Sequence, residues 1–407
     1  MRFFMFLRYG ESGKQHNNSA LQIEYTMKKC EWVKRAFGSA FSIIGSVIGA
    51  GFITGREILT FFYGQSPILV FILLLAFFFL LMLSVMTVKN EMSLYAVERA
   101  DNVICLFNIL MIASMLGATE SLARNMGVGC AFPAWSVVML LVSIVVCAGG
   151  MSRLDKFNAV LVSVMLGIVF LIVALKLSSV SLEFSAAGTH VNFFAVAKYV
   201  GMNILLTQPL LGNIRRENNA FGQVETTVKT SVLTAFTAAF LLSLTAAAFL
   251  AVLPKESAFA ELPILHIVGA NKAFYYSVSL TVALGIITTL VGSMYPLLNY
   301  SFFAKSTGET AAETGQKENR DDAKKSRRGK IIRAVCICML SLGVSRLGFY
   351  VIVDKIYPLL GVLSLAYYLF TFAVLPIFQR VTRPAYIAAA RIHKSTVPVI
   401  TRSSLST

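Results

Sequence analysis

Charge is scarce in this sequence of 407 residues: Asp, Glu, Lys and Arg together make up 14%, against 57% hydrophobic residues, with four histidines and two tryptophans. A soluble domain carries roughly 25% charged residues, so a water-exposed globule is excluded. Zinc-type ligand spacing is also missing. The six cysteines, Cys30, Cys105, Cys130, Cys147, Cys336 and Cys338, form no such pattern, and most fall within apolar runs as small buried hydrophobes. His16, His190, His266 and His393 fall in expected loops or tails, which supports neither a metal cluster nor an intramembrane proton relay. No HExxH, phosphate loop or GxSxG motif occurs, so neither an enzyme nor a bound organic cofactor is expected. No secretory signal is expected either, because the first 35 residues hold no long apolar core before a cleavage site.

What the sequence has in abundance is long apolar runs. A membrane span needs roughly 20 mainly apolar residues. Ten such segments can be read, at about 37–63, 67–88, 103–125, 131–150, 155–178, 191–213, 229–253, 272–303, 331–350 and 356–378. The fold class is therefore an all-α membrane protein whose first partner is the lipid bilayer. A formal charge of +16 does not require nucleic acid, since Lys and Arg gather on the cytoplasmic side of membrane proteins for reasons of insertion. Lys28, Lys29, Lys34, Arg35, Arg153, Lys156, Arg215, Arg216, Lys305 and Arg391 share one side, which makes both termini cytoplasmic. The exceptions are Arg56, Arg124, Lys176, Lys198, Lys255, Lys272, Arg346 and Lys355.

Ten spans divide into two sets of five, and an odd number per set makes the second set enter with opposite orientation, as in an inverted repeat. The organisation expected is an extension at 1–35, a first repeat at 36–178, a second at 191–378 interrupted by a polar, disordered loop at 304–330, and a tail at 379–407. Met27 opens MKKCEWVKRAF, a basic stretch that leads straight into span 1. A chain starting at Met27 is expected to insert and function, because the orienting cations remain. Failure of that shortened protein to insert would contradict this.

Spans 1 and 6 lead the two halves, and both contain helix-weakening residues. Span 1 holds Gly38, Gly45, Gly49, Gly51 and Gly55, each costing a helix interior about 1 kcal/mol relative to Ala. Gly45 and Gly49 form a GxxxG, which suits close packing of helices. The other reading is a local unwinding at Gly49 to Gly51, where freed backbone groups meet a ligand and an ion. Span 6 carries Asn203 and Gln208 ahead of Pro209, which lacks a backbone donor.

The segment IGSVIGAGFITGREILTFF resembles the first-helix signature of the YkvI family of amino acid permeases, in the amino acid-polyamine-organocation superfamily. YVGMN at Tyr199 to Asn203, GIITTLVGSMY at Gly285 to Tyr295, and YPLLG at Tyr357 to Gly361 are similar to further pieces. Arg56 departs from the family pattern, which has glutamine before Glu57, and so does the long amino-terminal extension. The resemblance implies the LeuT-type fold, a 5+5 inverted repeat with spans 1 and 6 interrupted, in a bacterial cell membrane. It also implies alternating access, with an amino acid held by Ser46, Gly49, Ala50 and Gly51 of span 1 and by Gly201 and Asn203 of span 6.

Gly285, Thr288 and Thr289 of span 8 lie at i, i+3 and i+4, so a carbonyl and two hydroxyls share one helix face. Such hydroxyls commonly bond back to their own helix. The resemblance implies instead a sodium site completed by the carbonyls of Gly45 and Ile48. No lysine occupies the midplane of span 5, since Lys156 is near its cytoplasmic edge, and proton coupling stays open. Glu120 is a candidate intramembrane carboxylate, for which an i,i+4 pair with Arg124 is the ordinary explanation. Arg56 and Glu57, outward of the break, are candidates for an outer gate or for proton handling. The expected function is sodium-coupled symport of an amino acid or similar small zwitterion. A proton-coupled transporter and an amino-acid-sensing receptor of the same fold are the alternatives.

Overall fold

The computed structural model describes residues 32–88, 93, 97, 101–130, 133–148, 151–177, 190–220, 224–267, 271–299, 332 and 335–377. The extension before residue 32, the 304–330 loop and the 379–407 tail lie outside them, and with them Lys28, Lys29 and the proposed Met27 start. The described elements are all helical, with no strand among the described residues. Span 1 is three pieces: α1 at 32–47, α2 at Ala50–Ile53 and α3 at Arg56–Phe62. There follow α4 (Pro67–Thr87), α5 (Asp101–Asn125), α6 (Ala134–Ala148), α7 (Met151–Leu177), α8 (Phe193–Ala220), α9 (Val224–Val252) and α10 (Lys272–Asn299). After these come α11 (Val335–Ser345) and α12 (Phe349–Ile377). Each expected span falls on one of these helices or, for span 1, on a group of three.

Sequence chemistry explains the lengths and faces. Pro67 sits in the first turn of α4, where its missing N–H has no intrahelical role. Five helices, among them α4, α5 and α10, are long and apolar enough to cross a bilayer. The outward side chains are aliphatic, including Leu80, Leu141, Val145, Leu171 and Met339, while Asn108, Ser114, Asn203, Thr288 and Thr289 are buried. That inversion fits a protein whose solvent is lipid, because a polar group facing hydrocarbon is costly and an outward aliphatic one costs nothing. The molecule is an integral, all-α membrane protein.

Corresponding helices of the two halves pack together. α4, second of the first half, lies against α9, second of the other, and α5 against α10 likewise. This pairing is what a two-fold axis between the halves produces. One group joins α4, α8 and α9, and another joins α5, α6, α7 and α10. Span 1 threads between them, with α2 touching α5 and α10, and α3 touching α8, α9 and the start of α12.

The expected interruption of span 6 is absent, since α8 runs without a break through Pro209. Its polar side chains bond back to the helix itself. Asn203 Nδ2 donates to the Tyr199 carbonyl at 2.9 Å, and the Thr207 hydroxyl donates to the Asn203 carbonyl at 3.0 Å. These side chains are thus bonded within their own helix at the place where unwinding is expected. Only the backbone donor at Pro209 is lost, a defect neighbouring helices can accommodate.

The cysteines also differ in part from expectation. Cys147 is buried and its thiol lies 3.6 Å from the Val291 carbonyl, but Cys130 and Cys336 are exposed.

Candidate functional site

Span 1 breaks at Ile48 and Gly49. The Ile48 N–H still donates back to Ile44 at 2.8 Å, but the Gly49 N–H turns to the Val47 carbonyl at 2.9 Å. Gly49 is extended, with φ −99° and ψ −172°, before α2 resumes. Among the described residues, the carbonyls of Gly45 and Ile48 and the N–H groups of Ala50 and Gly51 have no backbone partner across this step. Freed groups at membrane depth are tolerated only where protein or ligand satisfies them.

The face of α10 that meets this break runs through Gly285, Thr289 and Gly292, at i, i+4 and i+7. A Cβ at Gly285 would clash with Ile53 Cδ1, and one at Gly292 would be 4.0 Å from Ser46 Cα. Between them Thr289 lies directly on Gly49, where an added Cβ would be 2.6 Å from Thr289 Oγ1. The two threonines differ in their hydrogen bonding. Thr288 Oγ1 donates to the Gly285 carbonyl at 3.0 Å, the ordinary back-bond. Thr289 Oγ1 is buried and, among the described residues, makes no hydrogen bond. The structure thus brings Gly49, Gly285 and Thr289 together, with Gly45 and Ile48 on the adjoining chain.

Outward of the break, Gly55 turns the chain again with φ +78°, a left-handed conformation that favours glycine. Its Thr54 carbonyl accepts the Ile264 N–H at 2.9 Å, so the short helical turn Pro263–Ile267 between α9 and α10 docks on span 1. Arg56, buried, reaches Asp354 Oδ1 of α12 at 2.5 Å and lies 4.0 Å over the Tyr350 ring. Its other terminal nitrogen donates to the Ala260 carbonyl at 3.4 Å. Asp354 belongs to the π-helical turn Ile352–Ile356, a widened turn of the kind that concentrates at functional positions. Removing Asp354 leaves the guanidinium buried without its anion. Asp354→Asn is therefore expected to destabilise the purified protein by about 2 kcal/mol, less than for a fully buried pair because Asp354 is 33% exposed. A melting curve like that of the wild type would contradict the role of this pair.

The remaining expected residues lie as follows. Gly201 faces α12, where a Cβ would be 3.2 Å from Ser364 Oγ, so its role is close packing. Asn203 is buried and committed to its own helix. Glu120 does not pair with Arg124. It accepts from the Ser136 N–H at 3.0 Å and the Ser136 hydroxyl at 2.8 Å, which caps α6, while Arg124 reaches Glu261 at 3.3 Å. The short loop between α5 and α6 makes this cap closer than the i,i+4 partner. Ser46 Oγ donates to Ser42 at 2.8 Å. Glu57 is buried against Gly51, where an added Cβ would clash with Glu57 Oε1. Sequence reasoning missed Asp354, whereas Gln208 bonds between helices, its amide donating to the Val97 carbonyl at 2.7 Å and accepting from Tyr368 at 2.8 Å.

No protein-family model and no curated protein matches the chain. Among solved structures it is similar to Mhp1, a nucleobase-cation-symport-1 family transporter, in a closed conformation with bromovinylhydantoin bound. That match has a TM-score of 0.45 and 16% identity over 75% of this chain and 70% of the other. It is also similar to MhsT in complex with L-phenylalanine, with a TM-score of 0.46 and 14% identity over 82% of this chain and 88% of that one. The inward-facing conformation of Mhp1 matches with a TM-score of 0.45 and 17% identity over 82% and 73%.

Proposed function

We propose that this protein is a secondary active transporter that carries an amino acid or related small zwitterion together with sodium, by alternating exposure of a site at the break in span 1. The observation that carries the reading is the seating of the Thr289 hydroxyl, unpaired and buried, on the backbone step at Gly49. Sodium favours hard oxygen donors, and the Thr289 hydroxyl with the Gly45 and Ile48 carbonyls supplies that chemistry. Ala50 and Gly51 offer free N–H groups for a carboxylate. Span 1 lies between two helix groups, so relative movement of the groups would open the break to one side and then to the other. The Arg56–Asp354 pair ties span 1 to α12 and the Pro263–Ile267 turn docks on span 1 at the same end, and together they serve as the gate there.

Counterflow tests the reading. Proteoliposomes loaded with an unlabelled amino acid should accumulate the labelled form from outside in sodium buffer. A receptor of the same fold would bind label without accumulating it, and that result would overturn the proposal.

A further inference from the structure

The second half of span 1 encloses a polar cluster that neither the gate nor the Thr289 face uses. Glu57 of α3 is 1% exposed, and its Oε2 has no hydrogen-bond partner among the described residues. Its carboxylate lies against the Cα of Gly51, one turn from the break. Tyr199 of α8 and Tyr357 of α12, both fully buried, couple electrostatically to this carboxylate. Ser114 of α5, also fully buried, approaches the Tyr357 hydroxyl. The Tyr199 hydroxyl likewise approaches the Asn203 side chain, and none of these three hydroxyls completes a hydrogen bond among the described residues.

Four elements thus contribute buried oxygens without a completed hydrogen bond to the surroundings of Glu57. The Tyr199 ring is held there by packing, edge-on to Phe61 at 5.2 Å and Phe62 at 5.1 Å. Arg56, next in sequence, points instead to Asp354 and Ala260, and the ion pairs of the described residues include none to Glu57. A buried carboxylate is expensive unless a proton or a positive group meets it, and each unpaired hydroxyl adds to that cost. Oxygens without a competing cation define a receptor for a small positive charge. An anion would face the carboxylate, and an apolar group would leave all four oxygens unsatisfied.

We propose that the Glu57 oxygens, with the hydroxyls of Tyr199, Tyr357 and Ser114, bind a small monovalent cationic group. Its two possible sources are a primary ammonium carried by the substrate and a sodium ion. This rests on the transport reading above and sharpens it, because it makes a positive charge the recognised part of the cargo or a second coupling position. Glu57 lies beside Gly51, so an ammonium held here leaves a carboxylate within reach of the N–H groups at Ala50 and Gly51.

Thermal unfolding of the purified full-length chain, in choline chloride and in sodium chloride, tests the proposal. The probes are the twenty standard L-amino acids and, for the most stabilising of them, its decarboxylated amine and its des-amino acid. An ammonium source predicts that the amino acid and the amine stabilise while the des-amino acid does not. Glu57→Gln should then weaken both about tenfold or more, the size of a lost charge-assisted hydrogen bond. Tyr357→Phe, which keeps the ring packing, should weaken them by a smaller factor and guards against a folding defect in the first variant. A sodium source predicts that sodium chloride alone stabilises the wild type and that Glu57→Gln removes this effect. Unchanged binding of every stabilising probe in both variants, or a des-amino acid as good as its amine, overturns the cluster while leaving transport intact. If no probe stabilises the wild type and counterflow also fails, the transport reading falls and takes this one with it.

Discussion

Gly49→Leu is expected to insert normally and to take up no substrate. The backbone at Gly49 is extended, and any residue adopts that conformation, so the glycine is not required by its dihedral angles. It is required by space. An added Cβ would lie 2.6 Å from Thr289 Oγ1 and 3.1 Å from Thr289 Cγ2, on a helix anchored by α5, α6 and α7. Even Gly49→Ala should reduce uptake several-fold, and leucine should abolish it, since overpacking of a tight contact costs about 1 to 3 kcal/mol and fills the step itself. Uptake by radiolabel in cells, normalised to protein in the membrane, checks this. Undiminished uptake in the leucine variant would remove the interrupted helix from the account.

The second large effect separates Thr289 from Thr288. In Thr289→Val the branched shape remains and an unpaired buried hydroxyl disappears, so the sodium-free protein should be no less stable, and more stable by up to about 1 kcal/mol. The same variant should lose most of its stabilisation by sodium and need at least tenfold more sodium for half-maximal uptake. By linkage, substrate should bind it more weakly at subsaturating sodium. Thr288→Val removes a hydroxyl already bonded to the Gly285 carbonyl, which averages only about 0.6 kcal/mol in membranes, and should shift sodium dependence far less. Melting curves with and without sodium check both variants. Equal sodium responses in the wild type and Thr289→Val would reject Thr289 as a ligand.

The parts legible in the sequence are those set by local rules. Five glycines in span 1 announce a weak helix, and residues spaced i and i+4 share a face, which is how Gly285 and Thr289 come to lie on one stripe. Thr288, one residue earlier, turns towards its own helix, a distinction that spacing alone does not make. Span 6 shows the limit of a local rule. Gly201, Asn203 and Pro209 look like a break, but α8 runs on without one, with Asn203 bonded back to a preceding carbonyl. The expected correspondence of spans 1 and 6 therefore does not extend to the interruption.

Contacts across hundreds of residues stay hidden in a single sequence. Arg56 meets Asp354 some 298 positions away, and the π-helical turn that presents Asp354 leaves no plain signal in IVDKI. Tyr199 and Tyr357 open the short stretches YVGMN and YPLLG, yet what those rings face depends on how α3, α8 and α12 converge. Glu120 illustrates the reverse case. Its i,i+4 partner was available locally, and the backbone N–H of Ser136 satisfies it better because the turn between α5 and α6 brings the α6 terminus alongside.

Sodium-driven accumulation is the most direct test of the whole account. Purified protein reconstituted into proteoliposomes should concentrate the labelled amino acid identified by thermal screening above its external level when sodium is high outside and low inside. The accumulation should collapse when the gradient is dissipated with a sodium ionophore, and Thr289→Val should not reach it under the same gradient. Accumulation of equal size with choline replacing sodium, or none in any gradient despite binding, would contradict sodium-coupled transport through the break in span 1.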